Sequence, residues 1–181
     1  MSYYDDIYEY AADNYGLITS AEAKGIGIPN VELVKLAQRG RLTRLGYGVY
    51  RIEHYIPTPL DKYAEAVVQV GHGAYIFGES VLAMHGLALV NPSVIYTATA
   101  NATRKKLPLH VVNVLRHNGD DIVNYEGIPS QSVRTAILAC SASVMTERLK
   151  EAITEAKKQG LISEAEAKIT IMEIENEDTK Q

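Results

Sequence analysis

The N-terminal third of the chain spaces its apolar residues as short helices do. Residues 3–14 place apolar side chains three or four positions apart, and Gly16 ends this run. The segment "TSAE" at 19–22 is a capping-box sequence, in which the Thr and Glu side chains satisfy the first backbone N–H groups of a helix. Gly25 and Gly27 stop that helix within two turns. The pattern therefore predicts two helices in succession, the second very short.

A third helix is predicted from about Pro29 and Asn30, because proline suits the first helical turn, to about Gln38. Helix, short helix, tight turn and helix is the order of a helix-turn-helix. At 100° per residue the third helix has two sides. Its apolar side comprises Leu33, Val34 and Ala37, and its polar side comprises Glu32, Lys35 and Arg39. We expect the polar side to remain free for a partner.

The next segments, "LTRL" and "YGVYRI", alternate in the manner of β-strands. Gly46 and Gly48 permit the positive backbone angles of a tight turn between them. A two-stranded wing is therefore predicted after the third helix.

Pro57 and Pro59 follow as a short, stiff connector. We place the domain boundary there, with a winged helix-turn-helix DNA-binding domain at 1–56 and a second domain at 57–181. The second domain is predicted to contain a helix from Leu60 to about Val70, the strand "AYIF", the short helix "ESVLAMHG", β-structure over 93–127, and helices over 132–142 and 146–159. The predicted fold class is α+β, a winged helix-turn-helix followed by a mixed α/β domain with a small sheet and C-terminal helices.

One stretch of the N-terminal third has a near copy close to the C-terminus. "GLISEAEAK" at 160–168 nearly repeats "GLITSAEAK" at 16–24. Two helices opened by similar capping boxes explain the repeat better than a second helix-turn-helix, since no basic helix or wing follows it. From residue 164 the chain has six acidic residues against two lysines. We interpret 164–181 as an acidic tail, a solvated helix end that frays into disorder.

Composition narrows the setting of the protein. The chain has 181 residues and is 46% hydrophobic, enough for one domain or two small ones with a real core. Its single cysteine, Cys140, cannot form an internal disulfide, which favours a reducing cytoplasm. The first residues, "MSYYDDIYEY", lack the features of a signal peptide, and no apolar run approaches the length of a membrane span. We therefore expect a cytoplasmic protein with no membrane partner.

The basic residues are concentrated in one stretch of a chain whose formal net charge is -4. Residues 35–51 contain five basic residues and no acidic one. Lysine and arginine side chains contact phosphates, and asparagine on a recognition helix pairs with adenine. The candidate DNA-binding residues are Asn30, Lys35, Arg39, Arg41, Arg44, Tyr47 and Arg51. A winged helix used for protein contacts, with a solvated basic face, is the alternative.

Two further points concern charge. Glu32 shares the free side of the third helix with Lys35 and Arg39, and we favour an ion pair with one of them over a contact to a cytosine amino group. Arg104, Lys105 and Lys106 form a second basic point between two predicted strands. They either contact a nucleic acid or another partner, or form a solvated loop.

Residue types that could support catalysis do not form a candidate site. The histidines lack the spacing of a zinc pair, and Cys140 lies in an apolar helix. Ser80 in "GESVL" lacks the second glycine of a nucleophile elbow, and Asp120 and Asp121 are interpreted as an exposed turn. We predict no catalytic residue, no metal site and no cofactor.

Two long stretches of the chain resemble one protein family. "GLITSAEAKGIGIPNVELVKLAQRGRLTRLGYGVYRI" is similar to the N-terminal winged helix of the AbiEi-like antitoxins of abortive-infection, type IV toxin–antitoxin systems. "FGESVLAMHGLALVNPSVIYTATANATRKK" and "NYEGIPSQSVRTAILAC" resemble the C-terminal antitoxin domain of that family. The resemblance extends over roughly 5–142. Many relatives have an aspartate after the Arg-Thr pair, whereas here Ala139 and Cys140 follow.

The resemblance implies two functions. The winged domain would bind inverted repeats at the promoter of its own operon and repress it, and the second domain would neutralise a nucleotidyltransferase toxin, without necessarily forming a stable complex with it. Nothing in the composition or spacing indicates the second function. The alternative is a stand-alone winged-helix regulator whose second domain senses a signal or dimerises.

Overall fold

The computed structural model describes residues 2–88, 90–117 and 120–180. The chain forms two compact units, Met1–His72 and Gly73–Gln181. Both units combine helices with a small sheet, so the predicted α+β class is confirmed.

The first unit contains the predicted helix-turn-helix. Its helices are α1 (Tyr3–Ala12), α2 (Ser20–Gly25), α3 (Asn30–Gln38) and α4 (Asp61–Val70), and its strands are β1 (Leu17–Thr19), β2 (Leu42–Gly46) and β3 (Val49–Ile52). The Thr19 side chain accepts the backbone N–H of Glu22, whose carboxylate accepts the Thr19 N–H at 2.8 Å. The capping box predicted at "TSAE" is confirmed.

The sheet of the first unit has three strands, in the order β1-β3-β2, and all of its pairs are antiparallel. The β2–β3 hairpin is the predicted wing. The third strand, β1, was not predicted, because three residues are too few to show the alternation that identifies a strand. Strand β1 joins the end of α1 to the start of α2, so it fixes both helices to the wing.

The buried side of α3 differs in part from the prediction. Leu33 is fully buried, and Leu36 and Ala37 pack against the same core, whereas Val34 is 36% exposed. On the helical wheel Leu36 and Ala37 lie on either side of Leu33, so the buried sector is centred there. Val34 is rotated by 100° from that centre, and its assignment to the apolar side was wrong.

The division of the chain also differs from the expected boundary at residues 56 and 57. The boundary between the two compact units falls between His72 and Gly73 in the sequence, so α4 belongs to the first unit. The physical reason is a set of side-chain contacts, since Glu65 pairs with Arg51 and Gln69 donates to the Leu45 carbonyl. The two prolines lie in an irregular segment within the first unit.

The second unit is a five-stranded mixed sheet with four helices among the described residues. The strand order is β6-β5-β4-β8-β7, with β4–β8 and β5–β6 parallel and the other two pairs antiparallel. The elements are β4 (Tyr75–Ile76), α5 (Glu79–Met84), β5 (Ile95–Thr99), β6 (Val111–Leu115), β7 (Ile122–Tyr125), β8 (Ile128–Gln131), α6 (Val133–Ala139), α7 (Thr146–Lys158) and α8 (Glu164–Asp178).

Strand β8 was not predicted as a separate strand, because it contains Pro129. Proline cannot donate a backbone hydrogen bond and is rare inside a sheet. Here β4 pairs with β8 only at Ile76 and Ser130, so β8 has no neighbour on that side at residue 129. The sheet therefore accommodates the proline.

The acidic segment at 164–181 is not a fraying tail, and that prediction was wrong. Residues 164–178 form α8, whose Ala167, Thr170 and Ile174 are buried at helical spacing. Two of its acidic residues form ion pairs with other helices. Glu173 pairs with Arg134 at 2.6 Å, and Glu175 pairs with Lys150 at 2.9 Å. The high count of acidic residues concealed a buried stripe.

Candidate nucleic-acid interface

The start of α3 lies beside the start of α2 and the turn of the wing. The Ser20 hydroxyl donates to the Asn30 side-chain oxygen at 2.7 Å, and the Ser20 backbone N–H donates to the Gly48 carbonyl at 2.9 Å. Gly48 has a φ of +66°, a conformation that side chains disfavour. Asn30, the predicted reader of adenine, is therefore fixed in position next to the wing.

The wing presents one aromatic and one basic side chain at its tip. Tyr47 is 81% exposed, and Arg44 is exposed with its Nε donating to the Gly46 carbonyl at 3.2 Å. This bond uses the Nε donor of Arg44. Both side chains are thus exposed on the same hairpin.

The polar side of α3 carries an ion pair. The Lys35 ammonium lies 2.8 Å from the Glu32 carboxylate, which confirms the favoured ion-pair interpretation of Glu32. Both side chains are partly exposed, so this pair contributes little to the free energy of unfolding. The pair instead limits how available Lys35 is to DNA. The Lys35 ammonium must separate from Glu32, or bind both Glu32 and the new partner, before it contacts a phosphate or a base.

The opposite end of α3 carries two more arginines. Arg39 follows the last residue of α3, and Arg41 lies with its guanidinium carbon 5.1 Å from the centre of the Tyr4 ring. Both arginines line a groove of about 590 Å³ that also borders the first turn of α1. At about 1.5 Å per residue, the nine residues of α3 separate this end from Asn30 by roughly 13 Å. The candidate residues thus form two groups. Asn30 lies at the start of α3 beside the wing, and Arg39 and Arg41 lie at the end of α3.

Arg51 does not belong to either group. It lies in β3, its side chain is only 22% exposed, and it pairs with Glu65 of α4 at 3.2 Å. Its Nε and Nη2 atoms are buried and have no hydrogen-bond partner among the described residues. A neutralised, enclosed guanidinium is poorly placed to contact DNA, so we exclude Arg51 from the candidate interface.

The second basic point lies in the second unit. Arg104, Lys105 and Lys106 are exposed in the irregular segment between β5 and β6, where the sequence placed them. Their exposure is compatible with a partner contact and with a solvated loop, and both interpretations stay open.

The Asp120 side chain is buried, contrary to the expected exposed turn. Its carboxylate accepts from the Tyr75 hydroxyl at 2.5 Å, from Arg116 at 2.9 and 3.1 Å, and from the Gln131 amide at 2.9 Å. Burial acts to raise the pKa of Asp120, but these hydrogen bonds outweigh it and hold the pKa below its usual range. We call these four residues the Asp120 cluster, in which the carboxylate accepts four hydrogen bonds.

The other residues with potential for chemistry have structural positions. Burial raises the pKa of Cys140 to about 12, so the thiol is not a nucleophile at neutral pH. The Ser80 hydroxyl is buried and accepts the Tyr96 backbone N–H at 2.8 Å. The ring centres of His85 and Tyr125 lie 4.1 Å apart, and burial lowers the pKa of His85. In the described part of the chain no group of His, Cys, Asp or Glu side chains is arranged to hold a metal ion.

Four residues were missed from the sequence, and each contacts side chains or backbone of α3, the wing or the segment between them. They are Tyr4 beneath Arg41, Ser20 beside Asn30, Glu65 against Arg51 and Gln69 against the wing. Only Ser20 had a signal, because the capping box located it in the first turn of α2. The others act across long sequence separations, which periodicity does not reveal.

Within the described ranges, no helix has both the length and the apolar content needed to cross a membrane.

No curated protein matches the chain. The crystal structure of the RV2827C protein from Mycobacterium tuberculosis is similar, with a TM-score of 0.43 and 15% sequence identity over 94% of this chain and 80% of that one. The family model described as "Transcriptional regulator, AbiEi antitoxin" matches residues 5–52, the segment from α1 to the end of β3. The resemblance to the AbiEi-like antitoxins is therefore confirmed on this N-terminal segment.

Proposed function

We propose that the first unit binds double-stranded DNA through α3 and the wing. The observation that carries the proposal is the helix-turn-helix with exposed Lys35, Arg39, Arg41 and Arg44, which lies within the segment that resembles a transcriptional regulator. Exposed cations on a recognition helix and a wing complement the negative charge of a duplex. The winged helix as a protein-contact module is the competing interpretation.

The proposed contacts divide into positioning and reading. Arg39, Arg41 and Arg44 contact phosphates and fix the unit on the duplex. Asn30 and Lys35 reach base edges in the major groove, where asparagine pairs with adenine and lysine with guanine. Tyr47, at the exposed tip of the wing, lies against the sugar–phosphate backbone.

We further propose that the protein represses its own operon at promoter inverted repeats and neutralises a nucleotidyltransferase toxin encoded beside it, in the cytoplasm and without catalytic activity of its own. The similarity of residues 5–52 to antitoxin transcriptional regulators supports the pairing of repression with antitoxin activity. We assign DNA binding to the first unit and toxin neutralisation to the second.

Two experiments test these assignments. The first is a gel-shift titration of the full chain with the promoter duplex of its own operon and with a random duplex of equal length. The affinity for the promoter duplex should be the higher of the two. Co-expression with the neighbouring nucleotidyltransferase should restore growth. DNA binding without rescue would favour a stand-alone regulator whose second unit senses a signal or dimerises, and absence of binding to either duplex would refute the DNA assignment.

A further inference from the structure

Helix α4 lies outside the matched segment 5–52 but inside the first compact unit. Three of its polar residues are four positions apart and so share one face of the helix. We call Asp61, Glu65 and Gln69 the α4 polar face. Asp61 accepts from the Tyr55 hydroxyl at 3.0 Å, Glu65 pairs with Arg51 of β3, and Gln69 reaches β2. The α4 polar face therefore extends along the wing towards its turn.

Gln69 contacts the wing at an irregular position. Cross-strand partners run from Arg44 opposite Tyr50 to Gly46 opposite Val49, so Leu45 is skipped by the ladder. The Gln69 Nε2 donates to the Leu45 carbonyl at 3.0 Å, and Gln69 is only 5% exposed. The Gln69 side-chain amide thus donates to the backbone oxygen of the residue that the bulge leaves without a cross-strand partner.

Gly46 makes room for this contact. A Cβ on Gly46 would overlap the Gln69 side-chain amide. Unlike Gly48, Gly46 does not have a positive φ, so its backbone conformation does not require glycine. A side chain at residue 46 would therefore have to displace the Gln69 amide from this contact.

We infer that α4 holds the wing in its DNA-binding position and that Gln69 is a positioning residue for the wing. This inference rests on the proposed DNA-binding function. A bulge bends a hairpin and increases its twist. The hydrogen bond from Gln69 fixes that bend two residues before the exposed Tyr47, so it sets where Arg44 and Tyr47 meet the duplex.

Hydrogen exchange on the full chain tests the positioning without DNA. In Gln69→Met, which keeps the side-chain volume but lacks the donor, amides of 43–50 should exchange about three- to tenfold faster, the effect of removing one buried hydrogen bond. Amides of α1 and α3 should keep the exchange rates of the parent protein. The matched control Gln159→Met changes an exposed glutamine at the end of α7 and should leave the wing unaltered.

A double-mutant cycle tests the pairing of Gly46 with Gln69. Gly46→Ala should displace the Gln69 amide and speed exchange of the wing as Gln69→Met does. In the Gln69→Ala background the overlap is gone, so adding Gly46→Ala should have little further effect. Gly25→Ala is the matched glycine control, because a Cβ there meets open space and φ is not positive.

The DNA readout separates positioning from overall stability. Gln69→Met should weaken binding of the promoter duplex about three- to tenfold and lower the salt-dependence slope by about one, because the displaced wing reaches one phosphate fewer. Parental exchange of 43–50 in both Gln69→Met and Gly46→Ala would overturn the inference, and so would equal acceleration across α1, α3 and the wing. If the parent binds no duplex while exchange of the wing still depends on Gln69, the DNA-binding function fails and the support of the wing by α4 stands.

Discussion

The basic groups of α3 and the wing differ from those of the Asp120 cluster in what surrounds them. Arg41 and Arg44 are exposed; Arg41 lies over the face of the Tyr4 ring, and Arg44 donates to the Gly46 carbonyl. Arg116 donates twice to a carboxylate whose other acceptor sites are taken by Tyr75 and Gln131. An exposed arginine is available to a phosphate, whereas an arginine that donates twice to a buried carboxylate stabilises the fold. The same residue type therefore points to binding in one unit and to stability in the other.

Removing Asp120 should give the largest effect, on the stability of the second unit. Asp120→Ala leaves Arg116, Tyr75 and Gln131 without their acceptor around a side chain that is 3% exposed. Tyr75 and Gln131 are buried, and each buried donor left without its acceptor costs about 1–3 kcal/mol of unfolding free energy. Urea unfolding measures this destabilisation, with exposed Asp121→Ala as the control. A destabilisation below about 1 kcal/mol is the size expected of an exposed pair, and it would mean that the Asp120 cluster does not stabilise the second unit.

Removing two wing-side arginines should give the next largest effect, on DNA affinity. Arg41→Ala with Arg44→Ala should weaken binding to promoter and random duplex alike, and lower the salt slope by about one unit for each phosphate that is no longer neutralised. The unfolding free energy should stay nearly constant. Lys168→Ala with Lys180→Ala removes the same charge from the α8 region as a control. Unchanged affinity and slope in a gel-shift titration would remove these arginines from the interface.

The ion pair on α3 should separate sequence reading from general attraction. Lys35→Ala should reduce promoter preference by about 1–3 kcal/mol, the contribution of one good base contact. Glu32→Ala frees Lys35 and removes a repulsive carboxylate, so it should mainly raise affinity for random duplex. Selection of sites from a random pool measures both. If Lys35→Ala selects the parental motif with parental preference, α3 is not the reader.

The smallest expected effect is the response of the second unit to mild acid through His85. Burial lowers the pKa of His85 in the folded state. The unfolded chain therefore binds the proton first, and stability that is present above pH about 6.5 declines as pH falls towards the folded pKa. His85→Gln should flatten thermal unfolding midpoints between about pH 7 and 5. A decline of the same size in the variant would assign the response to another group.

Local signals were strong enough to predict most of the first unit. The capping box, the helix breaks and the hairpin glycines located α2, α3 and the wing within a residue or two. The role of α4 was not predictable, because Gln69 and Leu45 are 24 residues apart and no periodic pattern links them. Arg51 was misassigned for the same reason, since its partner Glu65 lies in an element beyond the prolines.

In the second unit, composition was a poorer guide than spacing. The acidic residues of α8 suggested disorder, while Ala167, Thr170 and Ile174 were already at the spacing of a packed helix. On sequence alone, Asp120 and Asp121 were treated alike. Of the two, Asp120 has a buried side chain, in the Asp120 cluster, and Asp121 is exposed. One step along an extended segment reverses which way a side chain faces, and only tertiary structure decides which of two aspartates is buried.

The near repeat of residues 16–24 at 160–168 reproduces the same local geometry in both units. Gly16 and Gly160 both have positive φ, and each copy contains a capping box that opens a helix. Helix initiation is the slow, unfavourable step of helix formation, whereas elongation takes nanoseconds per residue. A capping box is formed by residues three positions apart, so it does not depend on contacts between distant segments of the chain. Refolding of the second unit should accordingly slow in Ser163→Ala more than its unfolding accelerates, and stopped-flow measurement of both rates distinguishes the two.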